Sequence, residues 1–182
     1  MKTIKIIILL IVGFVFGLFF MPLTFWMQDT IRGEIIEGIS LSDPISTDSL
    51  NKLIELVKKG DTIAYENLFM VFLTTTTKEH SSELLIYSLL MANKYNYPFA
   101  YYGVYDCLWQ IYPETTSSLM LLDSLDETTR NIALEYLQKG AELGENNCQY
   151  NLGRYYLEGK YFEKDTILGK KLIDRSRGRT VK

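Results

Sequence analysis

An internal repeat is the feature that most constrains the fold of this 182-residue chain. Residues 85–108 align with residues 133–156, and each stretch predicts a helix, a turn and a second helix. A recurring unit of this kind is typical of a solenoid, because each unit buries its apolar face only by stacking on its neighbours. The aligned pairs are Leu89 with Leu137, Asn96 with Gly144, Ala100 with Cys148, Tyr102 with Tyr150, Val104 with Leu152 and Leu108 with Tyr156.

Helical spacing extends beyond the repeat, from residue 48 almost to the end of the chain. The first helix carries Leu50, Leu53, Ile54 and Val57 at i, i+3, i+4 and i+7. Six more helices follow and strand-type alternation is nearly absent, so we expect an all-α chain of αα-hairpins. The inward residues expected later are Ala64, Leu68, Val71 and Phe72, then Leu85, Ile86, Leu89, Leu90 and Ala92, then Ile132, Ala133, Tyr136, Leu137 and Ala141, and finally Ile167, Leu168, Leu172 and Ile173.

The limits of these helices are marked by capping residues. Short polar side chains accept hydrogen bonds from the free N–H groups at a helix start, and glycine or asparagine tolerates the left-handed conformation at its end. Pro98 fits the first turn of the fourth helix, where its missing N–H has no cost. The expected caps are Asp48, Asp61, Ser81 or Ser82, Asp126 and Asp165, and the expected stops are Gly60, Asn96, Gly144 and Gly159.

The second copy has a recognisable sequence motif. From Ala133 the chain runs ALEYLQKGAELG, from Gln149 it runs QYNLGRYYLEG, and Asp165 follows. This resembles the SEL-like repeat, a relative of the tetratricopeptide repeat, with its pattern A-x-x-W/Y-L-x-K-A-A-E-x-G followed by A-Q-x-x-L-G-x-x-Y-x-x-G. The match is clear over residues 131–175 and degenerate upstream. The resemblance implies a short right-handed solenoid whose exposed faces recognise proteins.

Small residues in the motif have a physical role. Ala141, Cys148 and Gly153 are expected to let paired helices approach closely. Gly169 stands where the family has alanine, which we expect to weaken the last helix by up to about 1 kcal/mol. The motif therefore predicts close helix packing that ends in a less stable final helix.

The leading segment predicts a membrane anchor. Residues 6–27 contain no charged residue, and about 20 apolar residues span a hydrocarbon core. The segment ends in bulky residues without a small-x-small cleavage site, so a retained helix is favoured over a cleaved signal peptide. Because Lys2 and Lys5 precede the span, the N-terminus is expected in the cytoplasm of a bacterium and the domain in the periplasm, at the inner membrane. The predicted organisation is an anchor at 1–28, a linker at 29–47 and a repeat domain at 48–182.

Charge and chemistry argue against several function classes. After Asp29 the chain has 17 Lys and Arg against 21 Asp and Glu, which disfavours a grip on nucleic-acid phosphates. We expect no enzyme activity, cofactor or metal, since the chain has one histidine, His80, and no nucleophile-elbow, Walker-type or zinc-protease motif. Cys107 and Cys148 are interpreted as small buried residues, with a disulfide as the alternative.

One face of the sixth helix is the best candidate for binding a partner. Asn151, Arg154, Tyr155 and Glu158 lie at i, i+3, i+4 and i+7, opposite the residues of the motif. Inner helices of a solenoid line its concave surface, so we expect these side chains to contact another protein. A merely solvated face is the alternative.

The tyrosines form a second group of candidates. Tyr101 and Tyr105 are either recognition residues, since aromatic side chains anchor interfaces, or core residues. Tyr102, Tyr150 and Tyr156 are assigned to the core on the basis of the repeat alignment.

Taken together, these features predict a membrane-anchored adaptor or scaffold that binds another protein. The alternative is an immunity or inhibitor protein that neutralises a secreted toxin or enzyme, which the same resemblance permits. No nucleic acid and no small-molecule cofactor is expected as a partner.

Overall fold

The computed structural model describes residues 45–74, 78–110 and 121–178, and these residues form seven α-helices. No strand occurs in the described ranges, so the all-α prediction is confirmed for them. A single 3-10 turn, Leu121–Ser124, separates the fourth and fifth helices. The helices are α1 at Thr47–Lys58, α2 at Thr62–Thr74, α3 at Lys78–Asn93, α4 at Pro98–Gln110, α5 at Glu127–Glu142, α6 at Asn146–Glu158 and α7 at Thr166–Ser176.

The predicted anchor at 1–28 and the linker up to residue 44 lie outside the described residues. Within the part of the chain that the structure describes, none of the helices has the length and apolar character needed to cross a bilayer. The chain divides between Lys52 and Leu53. All contacts between helices that are discussed below lie on the C-terminal side of that division.

The two copies of the internal repeat have matching helix limits. Under the alignment, Pro98–Gln110 of the first copy falls on Asn146–Glu158 of the second. Asn96 and Gly144 precede these helices with left-handed φ angles of 51° and 86°, as predicted. Ala100 and Cys148, also paired in the alignment, are both buried. Within the described residues, the two copies are therefore helical hairpins that repeat at the level of the backbone.

Alternate helices form a first row, α2–α4–α6. Phe69 of α2 packs against Phe99 of α4 with ring centroids 5.0 Å apart. Further along the row, the hydroxyls of Tyr105 on α4 and Tyr155 on α6 are hydrogen-bonded at 2.8 Å. These contacts join helices that are not consecutive in sequence, which is the geometry expected of stacked hairpins.

Helices α3 and α5 form a second layer against this row. Asn93 at the end of α3 and Tyr136 of α5 exchange hydrogen bonds of 2.7 and 3.0 Å, which joins these two helices directly. Helix α7 packs mainly against α6. The core lies between the two layers and is filled by buried aliphatic and aromatic side chains.

Most of the predicted caps are confirmed. Asp61 accepts from the N–H of Ala64 at 3.0 Å, and Asp126 accepts from that of Thr129 at 3.0 Å. Asp165 accepts from two backbone N–H groups at the start of α7. The predicted stops at Gly60 and Gly159 also have positive φ angles, of 90° and 69°.

Two predicted helix starts are wrong. Ser46, rather than Asp48, caps α1, because its hydroxyl accepts from the N–H of Ser49 at 3.1 Å. Helix α3 begins at Lys78, before the predicted caps Ser81 and Ser82. The Lys-Glu pair that opens this helix favours helix formation, so the helix begins earlier than the serines suggest.

The buried face of α3 differs from the predicted one. Ile86 was expected to face inward but is 64% exposed, whereas Leu84, Ser88 and Met91 are buried. The physical reason is Ser88, whose hydroxyl is bonded to the Tyr65 hydroxyl at 2.8 Å and donates to the Leu84 carbonyl at 2.9 Å. A serine whose hydroxyl is hydrogen-bonded can lie in the core. Because Ser88 lies there, the buried face of α3 is the one that includes Ser88 and not the purely apolar one that includes Ile86. Ile132 and Ile167, also expected inside, are exposed.

Glycine controls the approach of α6 to α7. A Cβ atom on Gly153 would lie 2.8 Å from the Gly169 carbonyl oxygen, and one on Gly169 would lie 2.7 Å from the Gly153 carbonyl oxygen. The predicted role of Gly153 in close packing is therefore confirmed. The interpretation of Gly169 needs a correction, because an alanine at this position would clash with the α6 backbone. Its lower helix propensity is offset by the close contact that it permits.

Candidate protein-docking surface

The predicted face of α6 is only partly exposed. Asn151 and Arg154 are partly accessible and Glu158 is exposed, with the Arg154 guanidinium 4.0 Å from the Glu158 carboxylate. Tyr155 is 1% exposed, because its side chain turns toward α4 and bonds to Tyr105. The expectation that Tyr155 contacts a partner is therefore wrong, while the other three residues remain candidates on the surface of the first row.

The tyrosines of α4 that were left open belong to the core. Tyr101 and Tyr105 are both buried, and the Tyr101 hydroxyl donates to the Asn96 side chain at 2.8 Å. Tyr150, assigned to the core by the alignment, is instead 38% exposed. The buried face of α6 includes Cys148, Leu152 and Tyr155, so the burial expected of the neighbouring tyrosines falls on Tyr155.

Tyr102 and Tyr156 have intermediate accessibility. Tyr156 stacks on Phe162 with ring centroids 5.1 Å apart and an interplanar angle of 30°. Tyr102 lies in a cluster of aromatic rings that joins α2 to α4, and part of this cluster reaches the surface. The core assignment of Tyr102 and Tyr156 is therefore only partly correct, because each side chain stays partly accessible.

This cluster forms what we call the aromatic–acidic face. Phe99 and Tyr102 have ring centroids 6.1 Å apart with an interplanar angle of 31°, and Tyr97 lies 6.5 Å from Phe99. All three rings are partly accessible; Phe99 and Tyr102 lie against the buried Phe69, and Tyr97 lies against the buried Tyr65. The residues of the face are Glu66, Tyr97, Phe99, Tyr102 and Glu145.

Carboxylates surround these rings. The Tyr97 hydroxyl donates to the exposed Glu66 of α2, and Glu145 caps α6 by accepting from the Cys148 N–H at 2.6 Å. Burial and the negative charges of Glu66 and Glu145 raise the pKa of Tyr97. Burial, Asp106 and Glu145 raise the pKa of Tyr102. Glu66 is exposed, whereas Glu145 is buried at the start of α6, so the accessible part of the face combines aromatic rings with one exposed carboxylate.

Asp106 lies beneath this face and is itself buried. Burial raises the pKa of its carboxyl to about 6, although hydrogen bonds from Tyr102 and Trp109 act in the opposite direction. The Tyr102 hydroxyl donates to Asp106 at 3.3 Å. Asp106 thus adds a negative charge below the aromatic rings at neutral pH.

Outside the aromatic–acidic face, the exposed Tyr150 of α6 lies between two arginines. The guanidinium groups of Arg154 and Arg177 each lie 6.0 Å from the centre of the Tyr150 ring. Both distances are within the range of a cation–π contact. The surface of the first row is therefore negative near α2 and α4 and positive near Tyr150.

The thiols are poorly suited to nucleophilic chemistry. Cys107 and Cys148 are free and buried, which confirms that they are small core residues. Burial raises the pKa of the Cys107 thiol to about 12 and also raises that of Cys148, where Glu145 adds to the effect. Because the thiolate is the reactive form, neither thiol is activated at neutral pH. Among the described residues, no group of three or more His, Cys, Asp or Glu side chains could hold a metal ion.

The sequence reasoning missed most of the aromatic–acidic face. Phe99 and Tyr97 flank Pro98 at the start of α4, and their spacing to Tyr102 places all three rings near one end of that helix. This spacing was a usable signal. The contribution of Glu66 was not visible, since it depends on how closely α2 approaches the start of α4.

Comparison with known proteins adds no family or relative. No protein family, no curated protein and no solved structure matches the chain. The interpretation of its surface therefore depends on the geometry described above.

Proposed function

We propose that the chain is a membrane-anchored adaptor or scaffold, with a helical repeat domain outside the cytoplasm that binds another protein. The observation that carries the proposal is the aromatic–acidic face on the α2–α4–α6 row. Aromatic side chains dominate the energetics of protein interfaces, and here partly exposed rings lie beside charged groups. The SEL-like motif in the second copy supports the same conclusion.

The distribution of reactive groups also favours docking over catalysis. The buried thiols have raised pKa values, and the carboxylates of the face accept hydrogen bonds from helix N–H groups or tyrosine hydroxyls. These partners hold the carboxylates in place. Such an arrangement suits a preformed recognition surface, because little side-chain entropy remains to be lost on binding.

Site-specific photo-crosslinking in cells tests the docking function. A photoreactive phenylalanine analogue is placed at Glu66 or Asn151, both on the first row. Matched controls carry it at Ile86 of α3 or Glu135 of α5, which are exposed on the other layer. We expect one discrete protein adduct from the first-row positions and none from the controls.

The result contradicts the proposal if all four positions give the same adducts or if none gives an adduct. Mass spectrometry of the adduct identifies the partner. An assembly component would support the adaptor, whereas a secreted toxin would favour the inhibitor alternative.

The anchor is tested by fractionation. We expect the full chain to stay in the membrane pellet after an alkaline carbonate wash, because residues 6–27 contain no charge. A variant that lacks residues 1–27 should move to the supernatant. Protease added to spheroplasts should digest the domain if it is periplasmic. A full chain released by carbonate would contradict the anchor.

A further inference from the structure

We infer that the aromatic–acidic face binds a cationic side chain, a lysine or arginine on an extended segment of the partner protein. The inference rests on the proposed docking function and names the chemistry of the partner. Three observations carry it: the arrangement of the rings, the charges around them and the partners that those charges have.

The first observation is the arrangement of the rings. The ring centroids of Phe99 and Tyr102 are 6.1 Å apart, their planes are inclined by 31°, and both rings are partly accessible. Tyr97 meets Phe99 at 71° and forms a wall beside it. The face of an aromatic ring carries partial negative charge and attracts a cation placed over it.

The second observation is the charge around the rings. Glu66 contacts the Tyr97 hydroxyl, Asp106 contacts the Tyr102 hydroxyl, and Glu145 acts on both hydroxyls. The carboxylates come from α2, α4 and the start of α6. An incoming cation would therefore be attracted by the exposed Glu66 and by the buried Asp106 and Glu145 below the surface, as well as by the ring faces.

The third observation concerns the partners of these carboxylates. In the described part of the chain, Glu66 and Glu145 accept only from neutral donors: the Tyr97 hydroxyl, the Cys148 N–H and thiol, and the Asn147 amide. Ion pairs there use other acids, such as Glu135 with Lys139 at 3.0 Å. The negative charge of the face is therefore not neutralised by a salt bridge to either glutamate, which leaves a cation from a partner to complement it.

The negative charge beside the rings favours a cationic segment over an apolar one. An apolar side chain would cover the rings but would also desolvate the exposed Glu66 carboxylate without compensation, which is costly. A guanidinium can stack on the rings and donate to a carboxylate at the same time. Arginine is therefore expected to bind more tightly than lysine.

A peptide titration tests the inference on the full chain in a nonionic detergent. The probes are fluorescein-labelled peptides of equal length in which glycines alternate with arginine, lysine, glutamate or leucine. Fluorescence anisotropy should show saturable binding of the arginine peptide, weaker binding of the lysine peptide and no binding of the glutamate peptide. Tighter binding of the leucine peptide would mean an apolar partner and would overturn the inference.

Variants locate the site. Glu66→Gln keeps an acceptor for the Tyr97 hydroxyl but removes the charge, and Tyr102→Leu keeps apolar volume but removes the ring. Each should weaken binding of the arginine peptide by about fivefold, the equivalent of about 1 kcal/mol. Glu142→Gln removes the same charge from the exposed end of α5 and should change binding less than twofold. Equal losses for Glu66→Gln and Glu142→Gln, or no loss for Tyr102→Leu, would show that attraction is nonspecific and would overturn the inference.

The two proposals fail in different ways. A position-specific crosslink without binding of the arginine peptide would leave the docking function in place and reject the cationic partner. Thermal melts by circular dichroism establish that each variant is folded before titration. If Tyr102→Leu is unfolded, Tyr97→Leu tests the ring contribution at the edge of the same face.

Discussion

The two copies of the repeat have the same helix limits but fill the space between helices in different ways. In the first copy, polar and aromatic side chains from α2 and α3 meet α4. In the second copy, small residues bring α5, α6 and α7 close together. The comparison shows that one backbone arrangement can be stabilised by two kinds of packing, only one of which leaves a recognisable motif.

A buried hydrogen bond organises the first copy. The Tyr65 hydroxyl bonds to Ser88 of α3 at 2.8 Å and occupies the space where a Cβ on Gly103 of α4 would lie. Burial raises the pKa of Tyr65, so its hydroxyl stays protonated. Gly103 is therefore required by a side chain from a third helix rather than by close approach of two backbones.

In the second copy, a smaller residue on one helix is matched by a larger one on the next, which we call volume exchange. A Cβ on Gly140 of α5 would meet the sulfur atom of Cys148 of α6. At the equivalent positions of the first copy the chain has Ala92 and Ala100, both buried. The pair Gly–Cys thus replaces the pair Ala–Ala, with the larger residue on one helix matched by the smaller one on the other.

The largest effect is expected at the crossing of α6 and α7. Gly153→Val should lower the free energy of unfolding by about 3 kcal/mol, because the new side chain would meet the backbone of α7. Urea denaturation measures the change. Gly144→Ala is the control: nothing lies within 4 Å of its Cβ, so only the φ angle of 86° resists substitution, at a cost of about 1 kcal/mol. Equal effects of the two substitutions would argue against tight packing in the second copy.

A double-mutant cycle tests the first copy. Gly103→Ala should destabilise by about 2 kcal/mol, since its methyl group would overlap the Tyr65 hydroxyl. Tyr65→Phe should cost about 1 kcal/mol through loss of the bond to Ser88. The double variant should be more stable than the sum of these losses predicts, because removing the hydroxyl makes room for the methyl group. Strict additivity would mean that Tyr65 does not constrain Gly103.

The same design applied to Gly140 and Cys148 tests volume exchange. Gly140→Ala alone should cost about 1.5 kcal/mol through overlap with the sulfur atom, and Cys148→Ala alone should cost about 1 kcal/mol by leaving a cavity. The double variant recreates the Ala–Ala pair of the first copy and should recover most of the stability. A double variant less stable than Gly140→Ala would rule out complementary volumes.

The contrast between the copies also explains what the sequence predicted. Gly144, Gly153, Gly159 and Asp165 have local roles in turns, caps and close contacts, so their pattern was recognisable. The buried face of α3 was mispredicted because Ser88 is satisfied by a hydroxyl from α2.

The candidate surface was harder to predict than the fold. Tyr155 was expected at the surface, but its burial depends on a bond to Tyr105 in a helix remote in sequence. Phe99 and Glu66 were missed because their proximity depends on how α2 approaches α4. Such contacts between stacked hairpins have no periodic signature in one chain.

A pH-dependent effect is expected at a position where the two copies differ in charge. The alignment places the buried Asp106 of the first copy opposite Arg154 of the second. The folded state raises the pKa of Asp106 to about 6, above the value of about 3.9 for an unfolded chain. Folding therefore favours the protonated form, and this contribution is present below pH 4 and lost as the pH rises through about 6.

Asp106→Asn removes this dependence while keeping an acceptor for Tyr102. Relative to the native chain, the variant should gain up to about 2 kcal/mol at pH 7.5 and nothing at pH 4, as measured by urea denaturation across that range. Asp126→Asn is the opposite control, because hydrogen bonds from Thr129 lower the pKa of Asp126. It should lose stability at pH 7.5, and the loss should disappear in acid. If Asp106→Asn and the native chain differed by the same free energy of unfolding at all pH values, ionisation of the buried Asp106 would not destabilise the folded state.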